Sequence, residues 1–246
     1  MQNFITKTIR EIAVEMPAST RVFEEFKIDF CCGGGRRFDE ACERAGIEPE
    51  LVSRKINEAL TKQSRAAAAN DLVARKSLSD LIDHILETHH VFTRREIIRL
   101  AALMEKVRRK HGDARPELYF LENEFFALCA DLTPHMRKEE NVLFPFIKHL
   151  ETSATRNLST PRPPFGTVKN PVRMMMNEHD TAGDMLKKMR EAAKDYVVPE
   201  GACPSFRALY FGLEELERDL HQHIHLENNI LFPRAVALEQ KVIFGY

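Results

Sequence analysis

Two stretches of the sequence, 88 residues apart, repeat one pattern of metal-binding side chains. Asp131–Pro145 reads DLTPHMRKEENVLFP and Asp219–Pro233 reads DLHQHIHLENNILFP, with eight of fifteen positions identical. Each copy holds a histidine and a glutamate four residues apart, which a helix places on one face. The pairs are His135 with Glu139, and His223 with Glu227. One such pair is ordinary on a helix surface, but repetition in register predicts a site for two metal ions.

One further histidine upstream of each pair completes the predicted donor set. His179 is the only histidine of the third predicted helix, and His90 lies one residue from the equivalent position in the first half. His90 continues an otherwise apolar helical row, whereas His89 and His84 point elsewhere on an ideal helix. The predicted metal ligands are therefore His90, His135, Glu139, His179, His223 and Glu227.

This donor chemistry predicts two non-haem iron ions with an oxo or hydroxo bridge. Four imidazoles and two carboxylates suit two first-row transition ions, each taking two histidines and sharing both glutamates. Zinc prefers closed tetrahedral sites, usually with thiolates. Each iron would keep an open position, which favours chemistry or small-ligand binding. A ferritin-like oxidase is disfavoured, since those sites use about four glutamates and two histidines.

Helical periodicity dominates the chain, and strand signals are almost absent. Long helices are predicted over residues 78–110, 116–149, 168–196 and 205–238. Short connections between them favour an up-down four-helix bundle in an all-α protein. Pro145 and Pro233 fall at matching places, and each is expected to kink or end its helix one turn beyond the glutamate.

The chain is predicted to have two domains. Residues 1–62 form a small all-helical N-terminal domain, residues 63–76 a linker that contains QSRAAAAND, and residues 77–246 the bundle. The linker prediction follows from small and polar residues without an apolar period.

Vicinal cysteines mark the N-terminal domain. Cys31 and Cys32 precede three glycines, and Arg36 and Arg37 follow. Nearby cations depress a thiol pKa and raise its reactivity, so a thiol relay that approaches the iron-entry end of the bundle is predicted. The alternative is a tight turn that only lets two helices pack. Cys42 is a candidate third member of this group.

Two features beside His179 leave alternatives open. Glu178 is interpreted either as a carboxylate that supports the metal site or gates iron entry, or more simply as an exposed helix charge. The run Met174–Met176 is either a soft lining of the site or, as favoured here, core packing.

Composition excludes several classes of function. The 246 residues carry a formal net charge of −1, without the basic surface that nucleic acid requires. No run approaches the roughly 18 apolar residues of a membrane span. Charged residues interrupt the N-terminus where an export signal would be apolar. Five cysteines, an odd number, favour a reducing compartment. A cytoplasmic protein is predicted.

These residues resemble a known family. The bundle is similar to hemerythrin-like domains, and nearly the full chain resembles the di-iron family that repairs iron–sulfur clusters, called RIC. The likeness rests on DFCCGG at residues 29–34 and on HMRKEENVLFP, EHDTAG and HIHLENNILFP. It implies a di-iron centre on the six ligands above, a cytoplasmic location and a role in nitrosative and oxidative stress. Oxygen-carrying hemerythrins have a further histidine where Gly183 stands, which puts oxygen carriage in doubt.

The resemblance implies repair of damaged iron–sulfur proteins, by iron donation or by nitric oxide processing at the irons. A sensor or scavenger of nitric oxide or oxygen is the alternative, with the N-terminal domain reporting occupancy of the irons. Nitric oxide reductase-type redox chemistry and a homodimer are left open. The residues alone support an open di-iron site.

Overall fold

The described part of the chain is helical. The computed structural model describes residues 4–63, 76–156, 158 and 163–244, so most of the predicted linker lies outside it. Within those ranges no β-strand occurs, only an isolated antiparallel bridge between Thr8 and Arg37. None of the described helices is both long and apolar enough to cross a membrane. The N-terminal helices are α1 (Ile9–Glu15), α2 (Ser19–Glu25), α3 (Phe38–Ala45) and α4 (Pro49–Gln63).

Four long helices follow, and three of them contain a π-helical segment. The first comprises α5 (Leu78–His84), π1 (Ile85–His90) and α6 (Val91–His111). The second comprises α7 (Glu117–Lys138), π2 (Glu139–Leu143) and α8 (Phe144–Arg156). The third is α9 (Lys169–Ala192), and the fourth comprises α10 (Pro204–His225), π3 (Leu226–Leu231) and α11 (Phe232–Phe244). The first packs against the second and the fourth, and the third packs mainly against the second. This confirms the predicted helical bundle.

Of the two outcomes expected at Pro145 and Pro233, a kink or a helix end, the helix end is wrong, because both helices continue through the proline. Each proline is the second residue of an α-helix that directly follows a π-helical segment. There the N–H of Phe144 donates to the carbonyl of Glu139, five residues back rather than four. A proline has no backbone N–H to donate to a carbonyl of the preceding helical turn. The change of hydrogen-bonding register at the π segment accommodates it, and such segments often occur at functional sites.

A polar layer divides the interior of the bundle into two apolar clusters. One cluster includes Leu100, Leu132 and Leu220. The other includes Leu143 and Leu231. Along every long helix the predicted ligands fall between members of the two clusters, so apolar side chains close the ligand layer from both sides. A third cluster, which includes Ile12, Phe23, Phe38 and Cys42, is the core of the N-terminal helices.

The 88-residue repeat extends to a glutamate near the end of the second and the fourth helices. Glu151 accepts a hydrogen bond from the N–H of Leu78 at 2.7 Å. Glu239 accepts one from the N–H of Val168 at 2.8 Å and another from the hydroxyl of Thr167. Each carboxylate therefore satisfies donors at the start of a neighbouring long helix, where the helix dipole favours negative charge.

Replacing Glu239 with alanine is expected to lower the free energy of unfolding by about 1–3 kcal/mol, because it leaves buried donors without an acceptor. Glu239 is 1% exposed, whereas the equivalent Glu151 is only half-buried. Urea unfolding of Glu239→Ala beside Glu151→Ala measures the difference. An equal or larger loss of unfolding free energy in Glu151→Ala would show that burial does not determine how much this carboxylate stabilises the fold.

Candidate metal centre

The six predicted ligands meet in one buried layer of the bundle. Every one of them is at most 3% exposed: His90, His135, Glu139, His179, His223 and Glu227. His90 is the last residue of π1, Glu139 the first of π2, and Glu227 the second of π3. Three of the six predicted ligands therefore lie in π-helical segments.

The donors divide into two sets that share both glutamates. Within each set the candidate ligand atoms lie within 4.8 Å of one another. One set is His90, Glu139, His223 and Glu227, and the other is His135, Glu139, His179 and Glu227. Two neighbouring sites of two histidines each, bridged by two carboxylates, correspond to the arrangement that the sequence predicts.

The imidazoles turn their Nε2 atoms inward. The Nε2 atoms of His90 and His223 are 3.3 Å apart, and those of His135 and His179 are 3.1 Å apart. Each pair belongs to one donor set, so both nitrogens point to the same place. Neutral imidazole Nε2 is a common metal ligand.

The carboxylates lack the donors that buried anions need. Both oxygens of Glu139 and Oε2 of Glu227 are buried without a hydrogen-bond donor among the described residues. Glu139 Oε1 lies 3.3 Å from His135 Nε2, and Glu227 Oε1 lies 3.0 Å from His223 Nε2. A buried carboxylate is costly unless it is paired or coordinates a metal. The donor set therefore fits a pair of cations.

Burial and neighbouring charges act in opposite directions on the pKa values of the ligands. Burial alone raises the pKa of Glu227, but the adjacent His223 and His179 outweigh it and hold the pKa well below its usual value. Burial lowers the pKa of His223. Burial also acts to lower the pKa of His135, but the Glu139 carboxylate outweighs it and raises this pKa to about 9.

Two carboxylates fix the outer nitrogens of ligand histidines. His90 Nδ1 donates to Glu140 at 2.6 Å, and His135 Nδ1 donates to Glu178 at 2.7 Å. Such partners set the tautomer and orient the ring, leaving Nε2 for the metal. Glu178 is thus part of the support around the ligands, and its simpler interpretation as an exposed helix charge is wrong. Arg94 holds Glu140 through both carboxylate oxygens, at 2.6 and 2.7 Å.

The two repeat copies differ in this support. Asn228, at the position equivalent to Glu140, accepts from His179 Nδ1 at 2.8 Å. The Nδ1 of His223 is buried and has no partner among the described residues. The set containing His135 and His179 therefore has a partner on both outer nitrogens, whereas the set containing His223 has one on His90 alone.

Replacing Glu140 with glutamine is expected to weaken metal binding by about 10–100-fold, the range typical when a partner of a ligand histidine is lost. An amide keeps the shape but removes the charge that orients His90 and raises its basicity. Competition with a chelator measures the affinity. Glu87→Gln, an exposed change in the same long helix as His90, is the control. Equal affinities in both variants would show that Glu140 does not support the ligand.

His89 is a buried histidine that ideal periodicity misplaces. Ideal helical periodicity predicts that His89 points away from the interior, yet this residue is only 6% exposed. It lies in the π-helical segment, where the angle per residue departs from that of an α-helix. Its Nδ1 is 3.0 Å from Asp219, and its ring stacks on His223 with centroids 5.6 Å apart. His89 therefore packs behind a ligand and belongs to neither donor set.

The vicinal cysteines lie against the third long helix, beside the donors. Cys32 Sγ is 3.7 Å from the carbonyl oxygen of His179. A Cβ placed on Gly183 would also lie 3.7 Å from this sulfur. Position 183 is where oxygen-carrying hemerythrins have a further histidine. The absence of a side chain there leaves room for the thiol of the N-terminal domain.

The expectation of a depressed thiol pKa is wrong for Cys31. Its hydrogen bond to Cys32, followed by burial, raises its pKa well above the usual value. Arg37, one of the predicted nearby cations, is paired with Asp39. Cys42 lies in the N-terminal core, where burial raises its pKa to about 11, so it does not join the pair.

The methionine run and a small cavity also lie beside the site. Of the methionine run, Met175 is buried in the core, whereas Met174 is 45% exposed. A cavity of about 20 Å³ borders the donors, room for roughly one water. Its lining includes His135, Glu178 and His223.

The fold and the site define a hemerythrin-type cation-binding bundle. Residues 81–235 match a family described as Hemerythrin HHE cation binding domain. Residues 5–60 match a family described as a Domain of Unknown function (DUF542).

Relatives that align over nearly their full length identify a more specific family within this class. A Haemophilus influenzae protein named "Probable iron-sulfur cluster repair protein" is 32% identical over 95% of this chain and 98% of its own length. Proteins named "Iron-sulfur cluster repair protein YtfE" are 32% identical in Yersinia pseudotuberculosis and 33% in Pectobacterium carotovorum. These cover 96% and 95% of this chain, and 100% and 98% of the relatives. The chain belongs to the family of iron–sulfur cluster repair proteins.

Proposed function

We propose that this protein repairs iron–sulfur clusters damaged by nitrosative or oxidative stress in the cytoplasm, with two iron ions as its cofactor. The observation that carries the proposal is the pair of donor sets sharing Glu139 and Glu227. The names of the full-length relatives support the same function. When bound, the irons would supply redox chemistry and small-ligand binding at open coordination positions.

The residues of the chain have separate tasks in this proposal. Glu139 and Glu227 would hold both ions, and each ion would take two of the four histidines. Glu140 and Glu178 orient His90 and His135, and the two apolar clusters restrict water. The bundle, residues 77–246, thus holds the iron for transfer to a damaged client or for nitric oxide processing.

The N-terminal domain, residues 1–62, supplies the thiols. We infer that Cys31 and Cys32 act as a thiol relay for iron and not as permanent ligands, because the bundle already has a complete donor set. Their position supports this role, since Cys32 lies against the backbone of His179.

A repair assay tests the function. Iron-loaded protein is incubated with a cluster enzyme that has been nitrosylated or oxidised, and recovery of enzyme activity is followed against metal-free and zinc-loaded protein. Recovery that depends on bound iron is expected. Tight nitric oxide binding without recovery would instead favour a sensor or scavenger. Docking of the N-terminal domain beside the donors suits that alternative, because occupancy of the irons could change the docking.

A further inference from the structure

A buried asparagine joins the cysteine turn to the helix that carries a bridging glutamate. Asn229 is 6% exposed and lies in π3, two residues after Glu227. Its Oδ1 accepts from Arg10 Nε at 2.7 Å. Its Nδ2 donates to the carbonyl of Phe30 at 3.0 Å and to His225 Nδ1 at 2.9 Å. One amide therefore binds Arg10 and the Phe30 carbonyl on the N-terminal side and His225 on the fourth long helix.

The N-terminal side of this contact is tightly fitted. A Cβ on Gly34 would lie 3.0 Å from the carbonyl oxygen of Phe30 and 3.2 Å from Oδ1 of Asn229. The backbone of the turn comes this close because position 34 has no side chain. The ring of Phe30 also packs on His225, with centroids 5.5 Å apart. The turn that carries Cys31 and Cys32 is thus seated on π3.

The repeat supplies an internal comparison. Asn141 occupies the equivalent place in π2, two residues after Glu139. It is exposed, and its amide donates to the carbonyl of Arg137 within its own helix at 2.7 Å. The same residue type at the same helical position therefore binds the N-terminal domain in one copy only.

We propose that Asn229 is a positioning residue that holds the Cys31–Cys32 turn on the bundle through its hydrogen-bond donor. Phe30 immediately precedes Cys31, so the bond to the Phe30 carbonyl fixes the backbone that places Cys32 over His179 and Gly183. Loss of this donor lets the turn open locally while the metal ligands stay in place. The proposal extends the function above but does not depend on it, because thiol exposure and iron content are measured without a client.

Asn229→Asp is the decisive variant. Aspartate has nearly the same shape and keeps an acceptor for Arg10, but it has no N–H for Phe30. In iron-loaded protein, alkylation of Cys31, which is now 6% exposed, is expected to accelerate roughly tenfold or more, the scale of losing a hydrogen bond in a buried site. Hydrogen exchange of residues 29–35 is expected to rise with it, and iron content to stay unchanged.

The matched controls are Asn141→Asp and Asn141→Ala, which are expected to leave both rates at the wild-type level. Gly34→Ala acts on the same contact from the N-terminal side and is expected to reproduce the effect of Asn229→Asp, which guards against a variant that fails to fold. Wild-type alkylation rates in Asn229→Asp would overturn the proposal, since a role in packing alone survives this isosteric change. Loss of iron in Asn229→Asp would also overturn it, because the residue would then support the metal site.

Discussion

Replacing both Glu139 and Glu227 with alanine is expected to reduce bound iron from about two ions per chain to nearly none. Each carboxylate belongs to both donor sets, so the double change leaves each set with two imidazoles only. Two neutral nitrogens neither complete the coordination nor balance the charge of a first-row ion. Metal analysis after gel filtration measures the content.

The single variants and a surface control make this result specific. Glu227→Ala keeps one bridge and is expected to bind less iron than wild type, with a lower unfolding temperature, because buried ligands lose their partner. Glu105→Ala, an exposed change in the first long helix, is expected to keep full iron content. Full iron in the double variant would show that the ions bind elsewhere.

Replacing both Cys31 and Cys32 with serine is expected to leave iron content unchanged and to lower the rate of client repair by roughly tenfold or more. A serine hydroxyl is a much poorer nucleophile and iron donor than a thiol, and the relay depends on the thiolate. Iron analysis and the repair assay are run on the same preparation. Cys203→Ser, which alters a partly buried cysteine at the edge of the cluster that includes Leu100, away from the donor layer, is the control.

Three outcomes would contradict this assignment. Loss of iron in the double cysteine variant would make the thiols ligands. Unchanged iron together with unchanged repair would reduce the Cys31–Cys32 segment to a tight turn for packing. A matching loss in Cys203→Ser would trace the effect to general thiol chemistry.

The fold and the donor layer could be predicted because their signals lie within short stretches of sequence. The ligand pattern also occurs twice. Helical period, breaker residues and the repeated histidine–glutamate pairs need no knowledge of distant contacts. His89 could not be placed, because a π-helical segment changes the angle per residue in a way that apolar periodicity does not reveal. Such π-helical segments also explain why the helices do not end at Pro145 and Pro233.

The sequence suggested Glu178 as a support of the site, but no supporting residue could be paired with its ligand, because every pair joins different elements. His135 and Glu178 are 43 residues apart, and His90 and Glu140 are 50 residues apart. Spacing identifies partners on one helix, whereas partners across helices depend on how the bundle packs. The raised pKa of Cys31 has another origin, since it follows from the hydrogen bond to Cys32 and from burial, which the sequence does not reveal.

The thiol above Gly183 places two functions in competition. A small ligand that approaches the donors over this glycine needs the space that Cys32 occupies. It therefore binds only the fraction of molecules in which the turn is displaced, and its apparent affinity falls in proportion to that fraction. A change that loosens the turn would raise the affinity for such a ligand as it removes the thiol. Under the proposed function, binding of such a ligand and thiol transfer at this face would be alternating states of one equilibrium, with the N-terminal domain as the competing ligand.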